Sequence, residues 1–386
     1  MAPQIGRQGQ SASTSEGSSL KGIWPGQSSA HSSRLPPSTH EALERLGQIK
    51  QRFEKLIQGN WAPGEAEKAF DIAIMPTLVA AENARKPGLT LLETATDFRH
   101  WLRKFCPSDG KRAILPLPGY EKHVVVADVR RVAGETSVLL IDSSTPNDYP
   151  SDNYQQNILP GLRACLPPRT ALMVIALDTQ KALMGCRIFS LTAASKLADQ
   201  KSKIDEIHLQ NLSGESLKTG LDDDARQVVQ QDHVRVFDGA GILPAGFYKH
   251  SQSATTLNAW AAAIPPHESG APVNSKKQTL HERYQAHATE RYASPYSVRS
   301  LSDQGLLEKV FTPDILEQIS KPKHTSNSIE HKRLALLDRA MDHLRHAPES
   351  ESRKLLTRLQ AASISADNIL TLDLASQDLG PHPSTL

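Results

Sequence analysis

Between Leu172 and Leu197 the chain changes its hydrophobic period once, and that change leaves few folds open. Leu172-Met173-Val174-Ile175-Ala176-Leu177 is aliphatic without a polar break, as in a strand buried on both faces, whereas Ile188, Leu191, Ala194 and Leu197 recur at helical spacing. The stretch between them is loop, so the segment reads strand, loop, helix, with Cys186 at the helix N-terminus. Unpaired N–H groups and the positive end of the helix dipole favour thiolate over thiol there. Without such help a thiol is only a few per cent ionised at neutral pH. Cys186 is a nucleophile if a base stands beside it; without one it is a small buried hydrophobe.

At 386 residues the chain can bury the core of one large or two modest domains. A net charge of +2 makes no electrostatic case for nucleic acid. Cys106, Cys165 and Cys186 lack metal-ligand spacing and cannot all pair, so neither a metal site nor a disulfide framework is expected. Cys106 and Cys165 are assigned to packing or loops. No apolar run approaches the roughly 20 residues that cross a bilayer. The usual secretory signal is absent, and Ala2 excludes the standard myristoylation start.

Residues 1–37 are rich in Ser, Gly, Gln and Pro and are expected to be disordered, either as a plain tail or as an export signal threaded unfolded. Ser38 and Glu41 fit a capping box for an amphipathic helix on Ala42, Leu46, Ile49, Phe53 and Leu56, ending near Gly59. Glu65 to Arg85 reads as a second helix that Pro76 should kink or divide, and Asp97 to Phe105 as a third. From Arg112 the period becomes that of strands: Ala113–Leu117, His123–Arg130 and Thr136–Asp142. The last two flank a four-residue hairpin loop, Arg131–Gly134, and pairing its ends places His123 directly across from Asp142, within imidazole–carboxylate reach. Asp205 to Val236 is polar and uneven. Asn274 to Ser300 is basic, with Lys276, Lys277, Arg283, Arg291 and Arg299. Leu334, Leu337, Met341 and Leu344 mark a further helix, and Leu355, Leu356 and Leu359 a short one.

His123, Asp142 and Cys186 in that order, with Gln180 six residues before the cysteine, resemble the YopJ/HopZ/AvrRxv family of bacterial type III effectors. So do His123–Val129, Thr136–Asp142, Asp178-Thr179-Gln180, Ile188-Phe189-Ser190 and Phe247-Tyr248-Lys249-His250. The resemblance spans roughly Leu89 to Arg291. It implies an α+β fold whose papain-like core is similar to the small-ubiquitin-like-modifier peptidases, with a helical regulatory domain built from N- and C-terminal segments. The expected division is 1–37 secretion segment, 38–105 helical regulatory part, 106–255 catalytic core and 256–386 C-terminal regulatory part. Arg187 departs from the pattern, since several members carry Gly there.

By the same resemblance the chain is a secreted effector that works in the host cytoplasm and suppresses host defence, including plant immunity. It would acetylate Ser, Thr or Lys of host signalling, immune or cytoskeletal proteins. Acetyl-coenzyme A would be the donor and inositol hexakisphosphate the activator. His123 would serve as base, Asp142 would orient it, and Gln180 would offer its amide to the oxyanion beside the Cys186 N–H. Lys249, His250, Lys277, Arg283 and Arg85 are placed around the polyphosphate, and Lys249 could itself accept acetyl. The chemistry of the three residues alone leaves a cysteine peptidase of ubiquitin-like modifiers open, and an inactive binder of host proteins as a third reading.

Overall fold

The computed structural model describes residues 35–104, 111–132, 134–149, 153–182, 184–231, 234–291 and 323–370. Most of the N-terminal segment, Cys106, Arg299 and the chain after residue 370 lie outside them. The chain runs α1 (Pro37–Gln58), α2 (Glu65–Asn83), β1 (Leu89–Leu91), α3 (Ala95–Arg103), β2 (Lys111–Leu117), β3 (Tyr120–Val132) and β4 (Glu135–Asp142). After a short 3-10 turn come α4 (Leu159–Cys165), β5 (Thr170–Ala176), α5 (Cys186–Asp199), α6 (Lys201–Ser213), β6 (Gln227–Gln231) and β7 (Val234–Asp238). Short helices α7 (Ala245–Tyr248), α8 (Ala254–Ala262), α9 (Pro266–Ser269) and α10 (Leu280–Gln285) precede the β8 (Ala288–Arg291) and β9 (Lys323–Ser326) pair. Two long helices, α11 (Ser328–His346) and α12 (Glu349–Leu370), follow.

The main sheet has the order β1-β2-β3-β4-β5-β7-β6, with β4, β5 and β7 parallel and β2, β3 and β4 a meander. Successive residues of a strand face opposite sides. Val125, Ala127, Val138, Leu140, Leu172 and Val174 thus bury one face against α3 and α4, through Phe98 and Leu162. Val126, Leu139, Ile141, Met173 and Ile175 bury the other with Ile188 and Leu191 of α5, in the core that continues to Phe53 of α1 and Leu337 of α11. Both faces are covered, which is why these strands read without polar breaks. The α+β expectation holds.

Four local expectations are corrected. Ser38 is not the N-cap of α1; Pro36 takes that place, and the Ser38 hydroxyl donates to Glu349 of α12 at 2.6 Å. Pro76 does not divide α2, because Ile74, Met75, Leu78 and Val79 are all buried around it. That burial outweighs the roughly 3 kcal/mol a helix-interior proline costs. The Leu355 helix is a full-length element that packs on α1 and α2, where Arg358 donates to the Ala73 carbonyl. Residues 205–236 contribute much of α6 as well as β6 and β7. The buried face of α6 carries His208 and Asn211 beside Ile204 and Ile207, so half of it is polar and invisible to a hydrophobic period.

The hairpin register also differs. Val132 pairs with Glu135 and Val126 with Ile141, so the loop is two residues long, with Gly134 at φ +86°. Asp142 is therefore level with Val125, and His123 stands diagonally from it on the same face. On the other side of β3, Pro116 pairs with Val124 but Leu117 with Tyr120, so Glu121, Lys122 and His123 form a bulge. Bulges re-aim side chains. This one turns His123 toward the end of β4.

Candidate active site

Asp142 ends β4 and is 2% exposed, with three donors converging on its two oxygens. His123 Nε2–H donates to Oδ1 at 2.7 Å, the Ser144 N–H to Oδ1 at 2.9 Å and the Tyr149 hydroxyl to Oδ2 at 2.6 Å. A carboxylate only accepts, so the shared ring proton is on Nε2 and Nδ1 is left for another partner. The Tyr149 ring also stands edge-on to the imidazole, with centroids 5.8 Å apart. The histidine is thus held by a bond and by packing.

The thiol of Cys186 interacts with the same imidazole by hydrogen bond and charge. Cys186 is the first residue of α5, after Gly185 at φ +123°, a conformation that only glycine adopts without strain. Ser190, one turn on, donates to the Val124 carbonyl at 2.8 Å and so ties the helix that begins at Cys186 to the strand that bears His123. Burial opposes charge at both groups. At His123 the Asp142 carboxylate and its bond, helped by Cys186, outweigh burial and raise the imidazole from 6.5 to about 10. At Cys186 the His123 bond and charge, then Arg187 and the Val124 backbone, outweigh burial and lower the thiol. The two shifts are complementary and favour a thiolate–imidazolium pair.

Gln180 is buried in the loop between β5 and α5. Its Oε1 accepts from Ser143 at 2.9 Å and its Nε2 donates to the Ala182 carbonyl at 2.8 Å, so one amide hydrogen remains for an oxyanion. The loop is held from outside by Gln252, whose Oε1 accepts from the Lys181 and Ala182 N–H groups at 2.7 and 2.9 Å. Thr256 donates to the Asp178 carbonyl at 2.8 Å.

The basic residues sort into two groups. Arg283 Nε donates to the Lys249 carbonyl at 3.1 Å, and burial, then Arg283 and Lys196, push the Lys249 ammonium down. Lys332 of α11 joins them: burial, then Arg339, Lys196 and Lys249, against the pull of Glu82, lower it to about 8. Arg85 reaches the same region through Glu82, at 3.5 Å. His250 is buried behind the cluster, and its Nδ1–H donates to the Ser328 carbonyl at 3.1 Å. Burial and the surrounding cations keep its ring neutral. Lys277 is exposed on the Asn274–Gln278 turn, at φ +57°. No group of metal-ligating side chains occurs among the described residues.

A sequence model described as YopJ serine/threonine acetyltransferase matches residues 44–339, most of the chain. The chain belongs to the YopJ family. It is 24% identical to the YopJ acetyltransferase of Yersinia pestis over 252 residues, 64% of this chain and 82% of that one. It is 30% identical to HopZ1a of Pseudomonas syringae pv. syringae over 210 residues, 48% of this chain and 56% of HopZ1a. Its fold is similar to that of HopZ1a solved with IP6, at a TM-score of 0.57 and 20% identity over 79% of this chain and 98% of that one. An AvrA deletion variant with IP6 and CoA gives 0.58 and 23% over 77% and 98%. The sheet and α5 thus form the papain-like core of the YopJ family.

Several residues of this YopJ-family site escaped the sequence reading. Tyr149 and Ser144 lie in a loop-rich stretch whose only signal was nearness to Asp142. Gln252 follows the Phe247–His250 motif by two residues but reaches a loop some 70 positions earlier. Lys196 and Lys332 occupy the polar faces of helices read only for their apolar ones. Cys165 is a packing residue as expected: it is buried, its thiol is pushed up by burial, and its Sγ donates to the Ala95 carbonyl.

Proposed function

We propose that this protein is an effector acetyltransferase that carries acetyl through Cys186 to Ser, Thr or Lys of host proteins. The observation that carries the reading is the buried line Cys186–His123–Asp142, with a lowered thiol and a raised imidazole, in a YopJ-family chain. The Cys186 thiolate attacks the thioester carbonyl of acetyl-coenzyme A, and the negative charge that develops on its oxygen meets the Cys186 N–H and the remaining Gln180 amide hydrogen. The carbon–sulfur bond to coenzyme A breaks, and the departing thiolate takes the proton of the His123 imidazolium. Thioester exchange is nearly balanced, so acetyl-Cys186 is reachable. An acceptor hydroxyl or amine then gives its proton to His123 and attacks the acetyl carbon, returning Cys186 as thiolate. Ping-pong kinetics follow.

Inositol hexakisphosphate fits the basic cluster. Lys196, Lys249, Arg283, Lys332 and Arg339 lie within electrostatic reach of one another, with Glu82 as the acidic neighbour, and burial first, then repulsion by neighbouring cations, lowers Lys249 and Lys332. A polyanion would relieve that repulsion, and arginine can grip its phosphates in a bidentate manner. The regulatory part drawn from 38–105 and 256–386, apart from β1 and α3, which pack with the sheet, would be ordered around it. Secretion by a type III system and action in the host cytoplasm complete the reading. The test is intact-protein mass after incubation with acetyl-coenzyme A, with and without inositol hexakisphosphate, for wild type and Cys186→Ala. Acetyl adducts that need both Cys186 and the polyphosphate support transfer. None from folded protein that binds the polyphosphate, with turnover of a ubiquitin-like conjugate lost in Cys186→Ala, would replace it by the peptidase.

A further inference from the structure

Behind the turn that carries Cys186 lies a buried ion pair which the chemistry above does not use. Arg333 of α11 is fully buried and grips Asp71 of α2 with two parallel bonds, Nε to Oδ1 at 3.0 Å and Nη2 to Oδ2 at 2.9 Å. Its guanidinium lies over the ring of Phe53 in α1, 4.5 Å from the centroid. The same Nη2 would stand 3.9 Å from a Cβ built on Gly185, and Phe189 packs on Gly185 beside it. Three helices from both ends of the chain therefore converge, through one side chain, on the residue before the nucleophile.

As a stabilising device the pair is poor. Taking both charges out of water is costly, and apolar side chains of like volume commonly do as well or better. Arg333 Nη1, moreover, is buried with no hydrogen-bond acceptor among the described residues. What the pair supplies is geometry: a rigid planar group fixed along one edge by Asp71 and on one face by Phe53, set against a glycine whose φ of +123° has to be imposed by its surroundings. Arg187, the residue after Cys186, is also within the electrostatic reach of Asp71.

We propose that Arg333, held by Asp71 and Phe53, is a positioning residue for Cys186: it sets the Gly185 turn from behind and makes the placement of the thiol depend on the packing of α2 and α11. Of these helices, α2 carries Glu82 near its C-terminal end with Arg85 just beyond it, and α11 carries Lys332 next to Arg333 and Arg339 further along, so the inference deepens the function proposed above and rests on it.

The test is the pH profile of Cys186 alkylation by iodoacetamide in the full-length protein, read by peptide mass, beside the melting temperature. In Arg333→Met the expected result is alkylation at neutral pH about tenfold slower, with the profile displaced toward that of an ordinary thiol. Arg333→Lys, which keeps the charge but loses the fork, should restore part of the rate, and Asp71→Asn should move it the same way as Arg333→Met. A folded Arg333→Met that melts lower but alkylates with the wild-type profile overturns the proposal and leaves Arg333 a structural residue. Should that variant not fold, Phe53→Leu withdraws the ring beneath the guanidinium and keeps every charge; a wild-type profile there overturns it equally. Alkylation needs no acetyl transfer. A failure of the transferase reading would appear as missing acetyl adducts with this alkylation pattern intact.

Discussion

Replacing Asp142 by Asn tests the electrostatics of the site most directly. The rise of His123 from 6.5 to about 10 is a preference for imidazolium of roughly 5 kcal/mol, at about 1.4 kcal/mol per unit. Burial opposes it, and the Asp142 charge and bond are the first two forces in its favour. Asn keeps one oxygen, able to accept from His123 and Ser144, but loses the acceptor for Tyr149 and removes the charge, so burial is opposed only by the Cys186 interaction and the imidazole is neutral at pH 7. Cys186 then loses the imidazolium that leads the forces lowering it, and burial drives the thiol back toward its ordinary range. The thiolate fraction at pH 7 falls to a few per cent or less. A thiolate of higher pKa is intrinsically more nucleophilic and recovers part of that loss, so net alkylation slows by about tenfold. The rate should return as pH is raised past the ordinary thiol value. Three donors meet two oxygens at Asp142, and Asn offers one acceptor, so a loss of about 1–3 kcal/mol of stability should accompany the change. Iodoacetamide kinetics from pH 5 to 10, with the melting temperature as control, give both numbers. A folded Asp142→Asn with the wild-type rate and midpoint would refute the assignment of Asp142 as the source of the pair.

Tyr149→Phe removes one charge-assisted bond at 2.6 Å and should cost about 1.5–3 kcal/mol in urea unfolding; an unchanged midpoint would count against that role. Lys332→Gln should weaken inositol hexakisphosphate binding by about tenfold in calorimetry. Lys277→Gln should leave it within about twofold, and the reverse order would show that the cluster is misplaced. Since Lys332 titrates near 8, wild-type affinity should also fall as pH rises from 7 to 9. Burial holds His208 and His250 below 6.5, so the unfolded chain takes up protons that the fold refuses. Stability should therefore drop as pH falls below 6.5, by up to about 1.4 kcal/mol per pH unit for each group, and less steeply in His208→Gln. Urea midpoints at pH 7 and 5 check it, and a flat or rising stability would contradict it.

What the sequence disclosed and what it withheld follow from the range of each interaction. The place of Cys186 at the start of α5 was legible because the change from strand period to helix period is local and falls on it. The contact of His123 with Asp142 was legible too, although the register expected for it was two residues out. The bulge at Glu121–His123 cannot be read from period, yet it keeps His123 on the face of Asp142, where a diagonal neighbour replaces the direct one. A shift by an even number preserves the face of every side chain, and an odd one would have broken the contact. Polar partners were the part withheld. Ser137, Asp128, His208 and Asn211 form a wholly buried network, and each would be read as a surface residue because its partner lies some 70 or more positions away. The same holds for Asp71 and Arg333, 262 residues apart, which no local pattern joins. Apolar periodicity finds the layers of such a fold, whereas the groups that aim its reactive atoms are polar, distant and paired. It follows that substitutions which leave this YopJ-family core folded but alter the reactivity of Cys186 should concentrate at those buried polar pairs, not at the aliphatic positions from which the sheet was recognised.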